Sequence, residues 1–278
     1  MTAADAATPT VRAGDAVFSF LEAGSGEALV LLHGIGSAGI GSAAVSFRPQ
    51  LEGLSTRLRV IAWDAPGYGA STPLAMTHPE AGDYAAALHA WFGALGIERC
   101  HLVGHSLGTL IAARFAAEHP DSVVGLTLAS IAKGHGRLSQ SERQRLLAQR
   151  LDDVASLGPR GMAAKRGPRL LGREATEEMR HMVVETMARI RPEGYAQAAR
   201  MLSAGDILAD LARLPAGLPM QVIVGEADAI TLPGACLEIA AAFAAPAHII
   251  AGAGHALYLE KAQEFNRLLS DFALARRD

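Results

Sequence analysis

A serine with a glycine two residues to either side, Gly104-His105-Ser106-Leu107-Gly108, follows the apolar run 100–103 and precedes the alanine-rich stretch 109–117. The apolar run reads as a strand and the alanine-rich stretch as a helix, so the chain must turn sharply between them. A turn this tight forces the serine into strained backbone angles, and side chains larger than hydrogen at Gly104 or Gly108 would collide. The strain exposes the hydroxyl. The N–H of Leu107, at the start of the helix, then points where negative charge on a reacting oxygen would collect. A bare G-x-S-x-G carries little weight, but strand, turn and helix in this order form a nucleophile elbow.

Short apolar runs alternate with helical patterns over 16–119, the signature of a mostly parallel sheet with crossover helices. Strands are predicted at 16–22, 28–32, 58–63, 100–103 and 123–129, and helices at 43–54, 81–95 and 106–118. Past Ser130 the texture changes. Few β-branched runs and many Arg, Glu, Gln, Leu and Met residues over 133–201 predict helices only, and Gly158-Pro159, Gly167-Pro168 and Arg191-Pro192 divide them into about four pieces. Strand texture returns at 220–224 and 247–250. The expected organisation is one α/β domain, 1–131 and 207–278, interrupted by a helical insertion at 132–206, with no internal repeat.

Half of the 278 residues are apolar, enough for one large core, and the net charge of -3 gives no reason to expect nucleic acid. Cys100 and Cys236 are far apart in sequence, and no disulfide is expected. Residues 1–10 have no basic or apolar region of a signal peptide, and the longest apolar stretches are too short to cross a bilayer. A soluble, cytoplasmic protein with no membrane partner is the expectation; assembly into a homo-oligomer stays open.

A serine hydroxyl is a poor nucleophile at neutral pH and needs a base to take its proton and an acid to orient the base. His255 is the candidate base, in the loop Gly252-Ala253-Gly254-His255 past the last predicted strand. Asp228 is the candidate acid, in Gly225-Glu226-Ala227-Asp228 after the preceding strand, with Glu226 a competitor two residues away. Ser106, Asp228 and His255 therefore all fall at carboxyl ends of strands, where open α/β sheets place their sites. The loop His33-Gly34-Ile35-Gly36 lets a backbone approach a ligand closely, and the N–H of Ile35 is the candidate second oxyanion donor beside Leu107. The phosphate-loop lysine motif and G-x-G-x-x-G in a suitable context are both missing, so no nucleotide cofactor is expected.

These motifs, together with Asp64-Ala65-Pro66-Gly67-Tyr68-Gly69-Ala70-Ser71, resemble the α/β-hydrolase superfamily over nearly the whole chain. The resemblance implies an eight-stranded, mostly parallel sheet with a helical lid. It also implies Ser106 as nucleophile, Asp228 as orienting acid, His255 as base, and backbone donors at Ile35 and Leu107, with neither metal nor cofactor. Asp64 and Ser71 are expected to brace the turn beside the site. The serine separates the chain from branches with aspartate at the elbow. It is most similar to 3-oxoadipate enol-lactonase and related small-ester hydrolases, on 126–134 and the form of the C-terminal third. The meta-cleavage product hydrolases are the alternative. Their usual Trp after the histidine is Ala256 here, and the chain's one Asn, Asn266, lies far from the oxyanion loop. A cofactor-free perhydrolase and a non-catalytic ligand-binding protein on the same fold are the remaining readings.

Over 133–201 there are fourteen Lys or Arg against eight Asp or Glu, so this segment carries +6 and the rest of the chain -9. Cations over a site mouth would draw in a substrate carboxylate, which points to a small-molecule ester or lactone bearing one. Arg166 and Arg169, with Arg189 next, are the candidate substrate contacts. Met162, Met179, Met182, Met187 and Met201 are candidates for an adaptable pocket lining.

Overall fold

The computed structural model describes residues 8–36 and 44–275. An N-terminal hairpin, β1 (Thr10–Ala13) and β2 (Ala16–Ala23), turns at Gly14, whose φ of 59° is left-handed. β3 (Ala28–Leu32), α1 (Ala44–Leu54), β4 (Arg59–Trp63), α2 (Ala81–Leu95), β5 (Cys100–His105), α3 (Leu107–Glu118) and β6 (Val123–Ala129) then alternate. The chain leaves the sheet for α4 (Gln140–Arg166), α5 (Glu177–Met187), α6 (Pro192–Ala204) and the short α7 (Ile207–Leu211). It returns for β7 (Met220–Gly225), α8 (Pro233–Ala242), β8 (Ala247–Ile250), the single turn α9 (Leu257–Glu260) and α10 (Ala262–Ala273).

The eight strands form one sheet in the order β1-β2-β4-β3-β5-β6-β7-β8, antiparallel where β2 meets β1 and β4 and parallel elsewhere. This is the expected eight-stranded, mostly parallel sheet. From β3 the chain crosses through α1 to β4, then back through α2 to β5 on the other side of β3. Strand order reverses between β3 and β5, and the crevice at their carboxyl ends is where such sheets take ligands.

Side chains alternate across the strands, so both faces are covered, as a parallel sheet requires. Leu29, Leu31 and Val103 pack with Phe47 and Leu51 of α1 and Phe265 and Leu269 of α10. Val30, Leu32 and Leu102 pack on the other face with Tyr84, Leu88 and Trp91 of α2 and Leu110, Ile111 and Phe115 of α3.

Most predicted elements are present within a residue or two. The edge strand β1 was not foreseen, because Thr-Val-Arg-Ala carries almost no apolar pattern. Ala43 lies outside the described residues, as does most of the N-terminal stretch read for a signal peptide. The helix expected from Ser106 begins at Leu107, since Ser106 is not helical. Gly158 (φ 64°, ψ 172°) kinks α4 just before Pro159, Pro168 sits in a 3-10 turn over Gly167–Leu170, and Pro192 opens α6, as the breaks predicted. The five-residue α7 went unread; Asp206 caps it, accepting from the N–H groups of Leu208 and Ala209. Cys100 and Cys236 are free thiols. No helix among the described residues is long and apolar enough to cross a membrane.

Candidate active site

Ser106 stands between β5 and α3 at φ 53° and ψ −117°, a left-handed backbone rare for a residue with a side chain. Neighbours hold it there. Its N–H donates to the Ala129 carbonyl at 2.9 Å, and its own carbonyl accepts from the Thr109 N–H at 2.9 Å and the Thr109 hydroxyl at 2.6 Å. A Cβ at Gly104 would lie 2.7 Å from Thr109 Cα, and one at Gly108 would run into the Leu32 carbonyl. Both elbow glycines are thus required by close approach.

The loop after β3 lies directly over the serine: a Cβ at Gly34 would sit 3.0 Å from Ser106 Cβ and 3.4 Å from its Oγ. His33 shapes this loop from beneath. Its Nε2 accepts from the Ala65 N–H at 3.1 Å, which leaves Nδ1 to donate to the Gly34 carbonyl at 2.9 Å. Burial pushes its pKa down to about 4, so the neutral form this pattern needs is the one present at neutral pH. Because the peptide is trans, fixing the Gly34 carbonyl also fixes the Ile35 N–H on the opposite side. Tyr68 donates to the Ile35 carbonyl at 3.1 Å and pins the next peptide. Leu107 opens α3, and its N–H is among those with no intrahelical acceptor.

Asp228 and His255 are brought together: His255 Nδ1 donates to Asp228 Oδ2 at 2.8 Å, with both residues buried. Asp228 Oδ1 accepts from the Ile230 and Thr231 N–H groups at 2.8 and 2.9 Å, and Oδ2 also accepts from the Thr231 hydroxyl at 2.8 Å. Burial alone would raise its pKa. The imidazole beside it and the Thr231 donors outweigh that and hold the carboxyl well below the usual range. With Nδ1 donating to a fixed carboxylate, His255 Nε2 keeps a lone pair for a proton. Glu226 is exposed and accepts from the Gly252 N–H at 2.9 Å, so it is not the histidine's partner. Ser71 donates to the Asp64 carbonyl at 2.7 Å and accepts from the Ser19 N–H at 3.0 Å, a brace under the same end of the sheet.

Ser106, Leu107, Ile35 and His255 line one cavity of about 510 Å³. Of the expected substrate contacts, Arg166 and Arg169 line it as well; Arg189 is not in its lining. Arg166 is held by Asp153, which also takes Lys165 at 2.8 Å, whereas Arg169 is exposed. Met162 and Met187 face the cavity; Met179, Met182 and Met201 are not in its lining. Thr231, His135, Arg150 and Tyr195 also line it and were not singled out in the sequence. For Thr231 a signal existed, a hydroxyl three residues after the acid.

A 2-hydroxy-6-oxo-6-phenylhexa-2,4-dienoate hydrolase of Comamonas testosteroni is 38% identical over 107 residues, which are 38% of this chain and 37% of that protein. The shared stretch thus spans little more than a third of that relative. A 2-hydroxy-6-oxononadienedioate/2-hydroxy-6-oxononatrienedioate hydrolase of Pseudomonas sp is 29% identical over 266 residues, 92% of this chain and 90% of that one. The solved enol-lactonase of Burkholderia xenovorans LB400 is similar with a TM-score of 0.81 at 22% identity, over 95% of this chain and 99% of that one, a likeness of fold. The family model of the alpha/beta hydrolases matches residues 29–268, nearly the whole chain, and the chain belongs to that family.

Proposed function

We propose that this chain is a serine hydrolase that cleaves a small, carboxylate-bearing ester or enol-lactone through an acyl-enzyme. The supporting observation is the 2.8 Å Asp228–His255 hydrogen bond, whose histidine lines the same cavity as Ser106. Ser106 Oγ attacks the carbonyl carbon while His255 Nε2 takes its proton, and the N–H groups of Ile35 and Leu107 hold the oxyanion. The tetrahedral intermediate expels the alkoxide or enolate, which takes the proton from His255. Water then attacks the acyl-enzyme, gives its proton to His255, and the free acid leaves as the proton returns to Ser106. Cations on the helical wall of the cavity favour an acidic substrate.

A second reading, hydrolysis of a carbon–carbon bond, is favoured by the relatives named as dienoate and dienedioate hydrolases. Attack and oxyanion would be the same, but the electron pair of the broken bond would go to carbon as a conjugated enolate, which must then be protonated. A panel of p-nitrophenyl esters, carboxylate-bearing enol-lactones and an acidic vinylogous diketone separates the two, with Ser106→Ala as blank. Turnover of lactone but not diketone supports the first reading, the reverse supports the second, and full activity in Ser106→Ala overturns both.

A further inference from the structure

Three polar groups on the cavity wall have no part in the chemistry above: the Arg150 guanidinium on α4, the His135 imidazole in the loop before α4, and the Tyr195 hydroxyl on α6. They act on one another. Arg150 Nη1 donates to Tyr195 Oη at 3.4 Å, and His135 is held below its ordinary pKa first by burial and then by the Arg150 charge. The packing of α4 on α6, with the His135 N–H donating to the Leu202 carbonyl of α6 at 3.0 Å, brings them together.

Other cations of this wall are already paired, Arg166 with Asp153 and Lys133 with Glu238 at 3.5 Å, or exposed, as is Arg169. Arg150 differs. It is partly buried, and none of the ion pairs among the described residues includes it. Beside it, the Nδ1 atom of His135 is buried with no hydrogen-bond partner among the described residues. A cation without a counter-ion on a cavity wall is satisfied by an anion placed against it. The planar fork of a guanidinium matches a carboxylate.

We infer that Arg150, His135 and Tyr195 form an acid-group subsite that takes a substrate carboxylate remote from the scissile carbonyl. Arg150 donates through its guanidinium and Tyr195 through its hydroxyl, with the His135 ring on the wall beside them. This deepens the serine-hydrolase reading, on which it rests for the place of the carbonyl. It moves the main acid contact from Arg166 and Arg169 to a residue of the same cavity wall that no carboxylate among the described residues pairs with.

Two esters of equal chain length test it, p-nitrophenyl hydrogen glutarate and p-nitrophenyl valerate. The parent chain is expected to favour the acid ester in kcat/KM. Arg150→Met is expected to lower the acid-to-neutral ratio by about 10- to 100-fold, the range for a hydrogen bond to a charged group, and Arg150→Lys to recover part of it. A parent ratio at or below one, or a ratio that Arg150→Met leaves unchanged, overturns the subsite. Calorimetry of glutarate on Ser106→Ala, with and without Arg150→Met, keeps the two ideas apart. Glutarate binding that is lost with Arg150, in a chain that hydrolyses neither ester, upholds the subsite and overturns the hydrolase reading. Equal glutarate binding in both variants overturns the subsite, whatever the esters do.

Discussion

His105, the residue before the candidate nucleophile, donates from Nε2 to the main-chain carbonyl of His255 at 2.8 Å. Elbow and base loop are thereby joined by one buried hydrogen bond. Donation from Nε2 leaves Nδ1 bare, and Nδ1 lies where a Cβ at Gly34 would be 3.2 Å away, so the same ring also touches the oxyanion loop. His105→Leu is expected to lower kcat about tenfold with KM little changed, since one hydrogen bond is worth about 1 kcal/mol and the freed carbonyl is buried. His105→Gln, whose amide can donate to that carbonyl, is expected to recover most of the loss. Equal losses in steady-state kinetics of both variants would show that the ring only fills space.

His33 and His105 also set a pH dependence of stability. Burial holds the first at about 4 and the second at about 3, while each returns to about 6.5 in the unfolded chain. Below about pH 6.5 the unfolded chain therefore takes up protons that the folded chain refuses. The stability these groups contribute is complete above that pH and is lost as pH falls toward the folded values. Each proton corresponds to about 1.4 kcal/mol per pH unit. Urea unfolding followed from about pH 7.5 to about 5 is expected to steepen toward about 2 to 3 kcal/mol per unit, and His105→Gln to halve that slope. A flat profile would contradict neutral burial of both rings.

The candidate triad was legible because each member sits in a short motif at a strand end, where local spacing carries the information. Ser106 is marked by the two glycines that the approach of Thr109 and Leu32 requires, and His255 by the small loop before it. The choice of Asp228 over Glu226 rests on the turn made by Ile230 and Thr231, which sequence order suggests but does not decide. Arg150 was not legible at all. It is one of fourteen cations over 133–201, and its difference from Arg166 is that Asp153 pairs with one and not the other, a matter of the kink at Gly158 between Asp153 and Arg166. Arg189 fails for the same reason: its charge was readable, its direction was not.

Asp228 is expected to act through the histidine's tautomer and orientation. Asp228→Asn places an amide where the carboxylate accepts from His255, and kcat is expected to fall by about 10⁴-fold with the fold retained. Glu226→Gln, at the exposed turn over Gly252, is expected to stay within about threefold of the parent. Thr231→Val keeps both main-chain donors to Asp228 and removes the hydroxyl, so an intermediate loss of about tenfold is expected. Kinetics in which Glu226→Gln is the more damaged variant would exchange the two acids.

Glu260 ties the helical segment to the base loop. Its Oε1 accepts from the Gly254 N–H at 2.9 Å and its Oε2 from the Gly172 N–H at 2.7 Å, while the Ala256 N–H donates to the Leu170 carbonyl at 2.9 Å nearby. Both carboxylate oxygens are used as acceptors. Burial raises its pKa against the pull of those two N–H groups. Glu260→Gln turns one acceptor into a donor facing an N–H, so one of the two links must break. The expected result is a loss of about 1 to 3 kcal/mol in urea unfolding. Faster hydrogen exchange is expected at Gly172 or Gly254, together with lower kcat, because the loop holding His255 is no longer fixed against the helices. Unchanged exchange at both glycines would show that Leu170 and Ala256 hold this contact without the carboxylate.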